Sequence, residues 1–148
     1  MVKQQELDKI YMKMAEVLSS LSHAQRKKVG CLIVKDTQII AEGYNGTPKG
    51  FDNECETLFV PGVGLGQEIH TKPEVLHAES NAITKLARST NSSSGSTVYV
   101  TLAPCYDCSK LIIQAGIEKV FFKEKYRDSG LLLLNKAGVE THQLKEEL

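Results

Sequence analysis

The chain has 148 residues, with 41% hydrophobic and 24% charged side chains, the make-up of an ordinary globular protein of one domain spanning residues 1–148. Eighteen basic residues balance eighteen acidic ones, which argues against a generic nucleic-acid or membrane-surface binder. No apolar run reaches the roughly 18 residues of a membrane span, and the start Met1-Val2-Lys3-Gln4-Gln5-Glu6 is polar where a signal peptide turns apolar. A cytoplasmic chain with reduced cysteines is therefore expected, since a domain of this size does not need disulfides.

Leu7, Ile10, Tyr11, Met14, Val17, Leu18 and Leu21 recur at steps of three and four, which predicts an amphipathic helix packed on the core. Val29–Val34 and Gln38–Ala41 read as two strands, and the polar Lys35-Asp36-Thr37 between them suggests a hairpin. From Gly43 to Pro73 the pattern dissolves into a long loop with six glycines and three of the four prolines, an insertion of the kind that is usually functional or mobile. Regularity returns with a helix over Ala78–Arg88, a turn at Asn91–Gly95 and a strand at Thr97–Thr101. A helix follows from about Cys105 to Ala115, with Pro104 before it and Gly116 just past its end. Lys119–Phe122 is a further strand, Tyr126–Gly130 a loop, Leu131–Ala137 a helix and Val139–Leu144 a last strand. Strands separated by helices imply an α/β domain with a mixed sheet covered by helices.

Two motifs carry chemistry: His77-Ala78-Glu79 at one helix start, and Pro104-Cys105-Tyr106-Asp107-Cys108 at the next. Cysteines three apart in a first helical turn share one face, and the exposed N–H groups there favour thiolates. Thiolates and a neutral imidazole suit zinc. His77, Cys105 and Cys108 make three ligands, whereas a structural site wants four and a catalytic site keeps one position for water. Two thiolates and a neutral imidazole cancel the charge of zinc, so a carboxylate beside the water gains value as a proton carrier. Glu79 is the candidate. His77 and Glu79 lie too close in sequence to share one face of a regular helix, so His77 should sit at the helix start. A redox Cys-x-x-Cys pair, or a four-ligand structural site completed by Cys31, Cys55, His23 or His70, are the competing readings of these residues.

His-x-Glu with Pro-Cys-x-x-Cys is the signature of the zinc nucleobase deaminases. Beyond it, Gly43-Tyr44-Asn45-Gly46-Thr47-Pro48, Leu76-His77-Ala78-Glu79 with Asn81-Ala82-Ile83, and the run Cys108–Ile117 resemble the deoxycytidylate (dCMP) deaminases of bacterial and phage type. The likeness covers roughly residues 5–142. It implies the three-layer α-β-α fold of the cytidine deaminase-like superfamily, with a five-stranded mixed sheet. It also implies hydrolysis of dCMP to dUMP and ammonia by a zinc-activated water, feeding dTMP synthesis. Glu79 would shuttle the proton to N3 of cytosine and later help ammonia leave. Asn45 would bond the deoxyribose and the Ala78 backbone the base, while Ser22, Arg26, Tyr126 and Arg127 would meet the 5′-phosphate.

Relatives of this type are commonly homohexamers, activated by dCTP and inhibited by dTTP, each with Mg²⁺. The resemblance assigns the effector site to Asn45, Gly46, Phe51, Asp52 and Asn53 of the long loop. Some relatives hold a second, structural zinc, but Ala24 stands where they have a cysteine, so His23, Cys55 and His70 are not expected to close one. Neither a nucleic-acid nor a membrane partner is expected, because the chain is uncharged overall and has no Trp. The alternatives are deamination of dCTP, free cytidine or another base, and a non-catalytic zinc-stabilised nucleotide-binding module. Glu79 separates the last from the rest, since a structural zinc has no use for a carboxylate at its fourth position.

Overall fold

The computed structural model describes residues 3–59 and 68–145. In chain order the elements are α1 (Gln4–Ser19), β1 (Gly30–Lys35), β2 (Gln38–Tyr44), β3 (Glu56–Phe59), β4 (Glu68–Thr71), α2 (Ala78–Ala87), β5 (Thr97–Leu102), α3 (Tyr106–Gln114), β6 (Lys119–Glu124), α4 (Asp128–Lys136) and β7 (Glu140–Gln143). Five strands form one sheet in the order β2-β1-β5-β6-β7. β1 runs antiparallel to β2 and β5, whereas β5, β6 and β7 are mutually parallel, so the expected mixed sheet is present. Asp36 and Thr37 both take positive φ, 51° and 61°, which makes the β1–β2 connection a two-residue turn matched to strand twist.

Strand alternation divides the core into two layers. Cys31 and Ile33 of β1, Val98 and Val100 of β5, and Val120 and Phe122 of β6 face α2, α3 and α4, packing with Ala78, Ala82, Leu86, Ile112 and Leu134. Leu32, Val34 and Tyr99 face the other way, onto Tyr11 and Ala15 of α1. Under α1, Tyr99 donates a hydrogen bond of 2.5 Å to the buried carboxylate of Asp8, which Gln4 also reaches at 2.9 Å. Helices on both faces give the three-layer arrangement.

The structure departs from the sequence expectations at four places. Of the α1 stripe expected to pack on the core, Ile10, Met14, Val17 and Leu21 are exposed, and the helix instead buries Asp8, Tyr11, Met12 and Ala15 and ends at Ser19, before Leu21. β2 continues through Gly43 to Tyr44, because Gly43 and Tyr44 still pair with Cys31 and Gly30. The stretch read as one loop contains a second, two-stranded sheet, with Glu56 paired to Thr71 and Phe59 to Glu68. Four-residue strands fall below what periodicity can register. Gly62, Gly64 and Gly66 of that stretch lie outside the described residues. α4 begins at Asp128, three residues before the first leucine of its apolar run, with Leu134 buried and Leu132 66% exposed. No helix among the described residues is long and apolar enough to cross a membrane.

Candidate metal centre and nucleotide cleft

The ends of β5 and β6, the start of β1 and the first turns of α2 and α3 converge at one edge of the sheet. His77 is the N-cap of α2, with extended backbone (φ −75°, ψ 160°), and its carbonyl accepts the first helical bond from Asn81 at 2.9 Å. This is the helix-start position the spacing required. A pair of backbone bonds between Gly46 and Leu76, 3.1 and 2.8 Å, fastens the residue before His77 to the loop that leaves β2. Cys105 is likewise the N-cap of α3, and its sulfur accepts the N–H of Cys108 at 3.4 Å.

The Sγ atoms of Cys105 and Cys108 lie 3.4 and 3.3 Å from Nδ1 of His77. Ligand bonds of about 2.0–2.3 Å in a tetrahedron give ligand–ligand edges of about 3.5 Å, so the three atoms fit one zinc ion. Among the described residues these three are the group of His, Cys, Asp and Glu side chains gathered closely enough to hold a metal. The Cys105 thiol falls to about 4 because Cys108 donates to its sulfur and His77 lies beside it. Cys108, which holds the shared proton, is pushed up by that same bond and by burial.

Glu79 is 4% exposed, in the first turn of α2. Burial pushes its carboxyl up to about 7, against the lowering pull of a backbone N–H and of His77. Cys31 lies behind it, wholly buried, its thiol raised by burial and by the charge of Glu79. Two glycines allow the backbones to come this close. A Cβ on Gly43 would stand 2.4 Å from the Ala78 carbonyl oxygen and 2.7 Å from the Ala82 nitrogen, so β2 touches the first turn of α2 directly. A Cβ on Gly130 would stand 2.2 Å from the Pro104 oxygen and 2.9 Å from the Cys105 oxygen, so α4 sits against the cysteine turn. The neighbouring Ser109 hydroxyl is buried with no hydrogen-bond partner among the described residues.

A cleft of about 460 Å³ opens beside these groups. Of the residues singled out from sequence, Arg26, Asn45, Cys55, His77, Ala78, Glu79, Cys105 and Tyr126 line it, whereas Ser22, the buried Cys108 and Arg127 do not. Ser22 is buried; its hydroxyl donates to the Asn45 carbonyl at 2.8 Å and accepts the Ala24 N–H at 3.2 Å. Arg127 is exposed and its guanidinium lies 5.5 Å from the centre of the Tyr126 ring. The Asn45 amide braces the segment before β1: Oδ1 accepts the Val29 N–H at 2.9 Å and Nδ2 donates to the Lys27 carbonyl at 2.8 Å. One N–H and one lone pair remain for a ligand. Sequence reasoning missed Lys27, Glu56, Glu124 and Lys125, which also line the cleft. Their signals were adjacency alone: Lys27 directly follows Arg26, Glu124-Lys125 directly precedes Tyr126, and Glu56 had none.

A second hollow of about 250 Å³ is lined by Asn45, Gly46, Asn53 and the basic Lys49 and Lys85, among others. Phe51 and Asp52 are exposed and do not line it. His23 and Cys55 border the same hollow without forming a metal-spaced group with His70.

Residues 5–124 match the family described as the cytidine and deoxycytidylate deaminase zinc-binding region. The chain is 32% identical over 171 residues to the deoxycytidylate deaminase of enterobacteria phage T4, covering 92% of this chain and 89% of the phage protein. It is 35% identical to the Saccharomyces cerevisiae deoxycytidylate deaminase across 92% of its own length, but spans only 44% of that relative, and 43% of the Schizosaccharomyces pombe one. The crystal structure of dCMP deaminase from cyanophage S-TIM5 in complex with dCMP and dUMP superposes with a TM-score of 0.85 at 43% identity, covering 97% of this chain and all of that one. The chain belongs to the zinc-binding cytidine and deoxycytidylate deaminase family.

Proposed function

We propose that this member of the zinc deaminase family hydrolyses dCMP to dUMP and ammonia. The observation that carries the reading is a three-ligand metal set with a buried carboxylate beside it, at the wall of a cleft that also presents Arg26, Lys27 and Lys125. His77, Cys105 and Cys108 would hold zinc, which when bound supplies a Lewis acid that makes water nucleophilic near neutral pH. Glu79 takes a proton from the attacking water and delivers it to N3 of cytosine. It then carries the second proton, from the oxygen now bonded to C4, to the amino group, so that the C4–N bond breaks and water and dCMP become dUMP and ammonia. Burial of Glu79 favours this, because desolvation raises the affinity of its carboxylate for the proton it must take. The Ala78 backbone contacts the base, and Asn45 bonds the deoxyribose with its remaining donor and acceptor. Arg26 and Tyr126 face the 5′-phosphate. Ser22 and Arg127 support that site through Asn45 and Tyr126, the residues they touch.

The same reading includes a homohexamer in the cytoplasm, activated by dCTP and inhibited by dTTP, each with Mg²⁺. Support for an effector site comes from the second hollow, where Gly46 and Asn53 meet two lysines suited to a polyphosphate. The test is steady-state deamination by zinc-loaded protein with dCMP, dCTP and deoxycytidine in parallel, with and without effectors, and Glu79→Ala as control. Turnover of dCMP far above deoxycytidine, lost in Glu79→Ala with zinc retained, is the expected result. No turnover of any substrate by protein carrying one zinc per chain would overturn it.

A further inference from the structure

The catalytic reading gives no role to the carboxylates on the polar wall of the cleft. Lys27 Nζ and Glu124 Oε2 meet there at 2.5 Å, each side chain about half exposed. Lys27 stands three residues before β1 and Glu124 ends β6, so the ion pair joins segments on either side of β5. Glu56 also lines the cleft, but its Oε2 is held by the backbone N–H groups of Gln25 and Arg26 at 2.9 and 3.2 Å. Its task is to fix the turn that carries Arg26. Among the described residues, Arg26 and Lys125 form no ion pair. The wall therefore offers two uncommitted cations and a third that is neutralised by Glu124.

A wall shaped for polyphosphates would gather cations without carboxylates among them. A nucleoside monophosphate carries close to two negative charges at neutral pH, which Arg26 and Lys125 match. A longer phosphate chain would bring further negative charge toward Glu124, and discrimination commonly rests on such a repulsive element. Resting on the dCMP reading, we propose that Glu124 is a specificity-determining residue that restricts the cleft to 5′-monophosphates by neutralising Lys27 and repelling a second phosphate.

The test compares dCMP, dCDP and deoxycytidine as substrates for zinc-loaded unaltered protein and for Glu124→Gln, Glu124→Asp and Lys27→Met, at low and high salt. A diphosphate is used because a triphosphate would also engage the effector site proposed above. Glu124→Gln is expected to raise the dCDP-to-dCMP ratio of kcat/KM by about 10-fold at low salt, with the gain shrinking as salt screens the wall. Glu124→Asp should keep the ratio near its original value. Lys27→Met, which leaves Glu124 without its partner, should lower it several-fold. Deoxycytidine turnover should move less than about twofold in each, because it presents no phosphate to the wall. An unchanged ratio in Glu124→Gln or Lys27→Met, with dCMP turned over well, would overturn the inference and leave the deaminase reading intact. Absence of dCMP turnover by the unaltered protein would overturn both.

Discussion

Gly43→Ala is the sharpest probe of how the sheet positions the catalytic helix. The new methyl would stand 2.4 Å from the Ala78 oxygen, 2.7 Å from the Ala82 nitrogen and 3.2 Å from the Ala82 Cα, all backbone atoms that no rotamer change can move aside. Carbon–oxygen contacts below 3.0 Å are not sustained, so β2 and α2 must part by at least about 0.6 Å. Overpacking of this kind costs about 1–3 kcal/mol, which at a urea slope near 2 kcal/mol/M lowers the unfolding midpoint by about 1 M. The displaced turn carries Glu79 and follows His77. Because a shift of about 1 Å can cost roughly 100-fold in rate, kcat for dCMP should fall by about 10-fold or more. The assay is urea unfolding of the zinc-loaded protein alongside steady-state kinetics and zinc content. Gly46→Ala is the matched control, because nothing lies within 4 Å of its Cβ position, and its stability should change by less than about 0.5 kcal/mol. A Gly43→Ala protein with an unchanged midpoint and kcat would refute the claim that this backbone contact sets the position of α2.

Glu79→Gln keeps the volume of the side chain and removes its proton transfer, so turnover should fall by about 10²–10⁴-fold with zinc content unchanged; loss of zinc instead would mark Glu79 as a ligand. Metal removal by a chelator should lower Tm and release, and zinc addition restore it, because only the folded chain gathers His77 beside the two cysteines. Since Cys108 holds its proton in the metal-free protein and must lose it to bind, zinc affinity should rise with pH across the neutral range, as competition with a chromophoric chelator would read. Tyr99→Phe leaves the buried Asp8 carboxylate with Gln4 alone and should cost about 1–3 kcal/mol in urea unfolding. Ser109→Ala removes a buried hydroxyl that has no partner among the described residues, so its stability should stay level or rise by up to about 1 kcal/mol.

The metal set was legible because its logic is local. Cys105 and Cys108 share one helical turn, and the crowding of His77 and Glu79 forced the histidine to the N-cap, where its extended backbone is found. The succession of strands separated by helices likewise announced a mixed sheet covered by helices, which the structure places on both faces. What stayed hidden depends on strand order. Lys27 and Glu124 are 97 positions apart and meet only because β1 and β6 flank β5, which no spacing rule anticipates. Ser22 and Asn45 were recognised as important by resemblance, yet their hydrogen bonds to Asn45, Lys27 and Val29 show a bracing role that residue type alone does not disclose. The β3–β4 pair escaped because each strand is a single four-residue step between glycine- and proline-rich stretches.

The contact between Gly130 and the cysteine turn has a mechanical meaning. Tyr126 borders the cleft, Arg127 caps α4, and Gly130 in the first turn of that helix presses on the Pro104 and Cys105 carbonyls. In the zinc-loaded protein a displacement of Tyr126 would be expected to reach the backbone of Cys105 through the first turn of α4, which would then act as a strain gauge between the cleft and the metal ligands. A cobalt-substituted protein would report through its visible spectrum whether the cleft is filled, and Gly130→Ala would detune that report by wedging the gauge open.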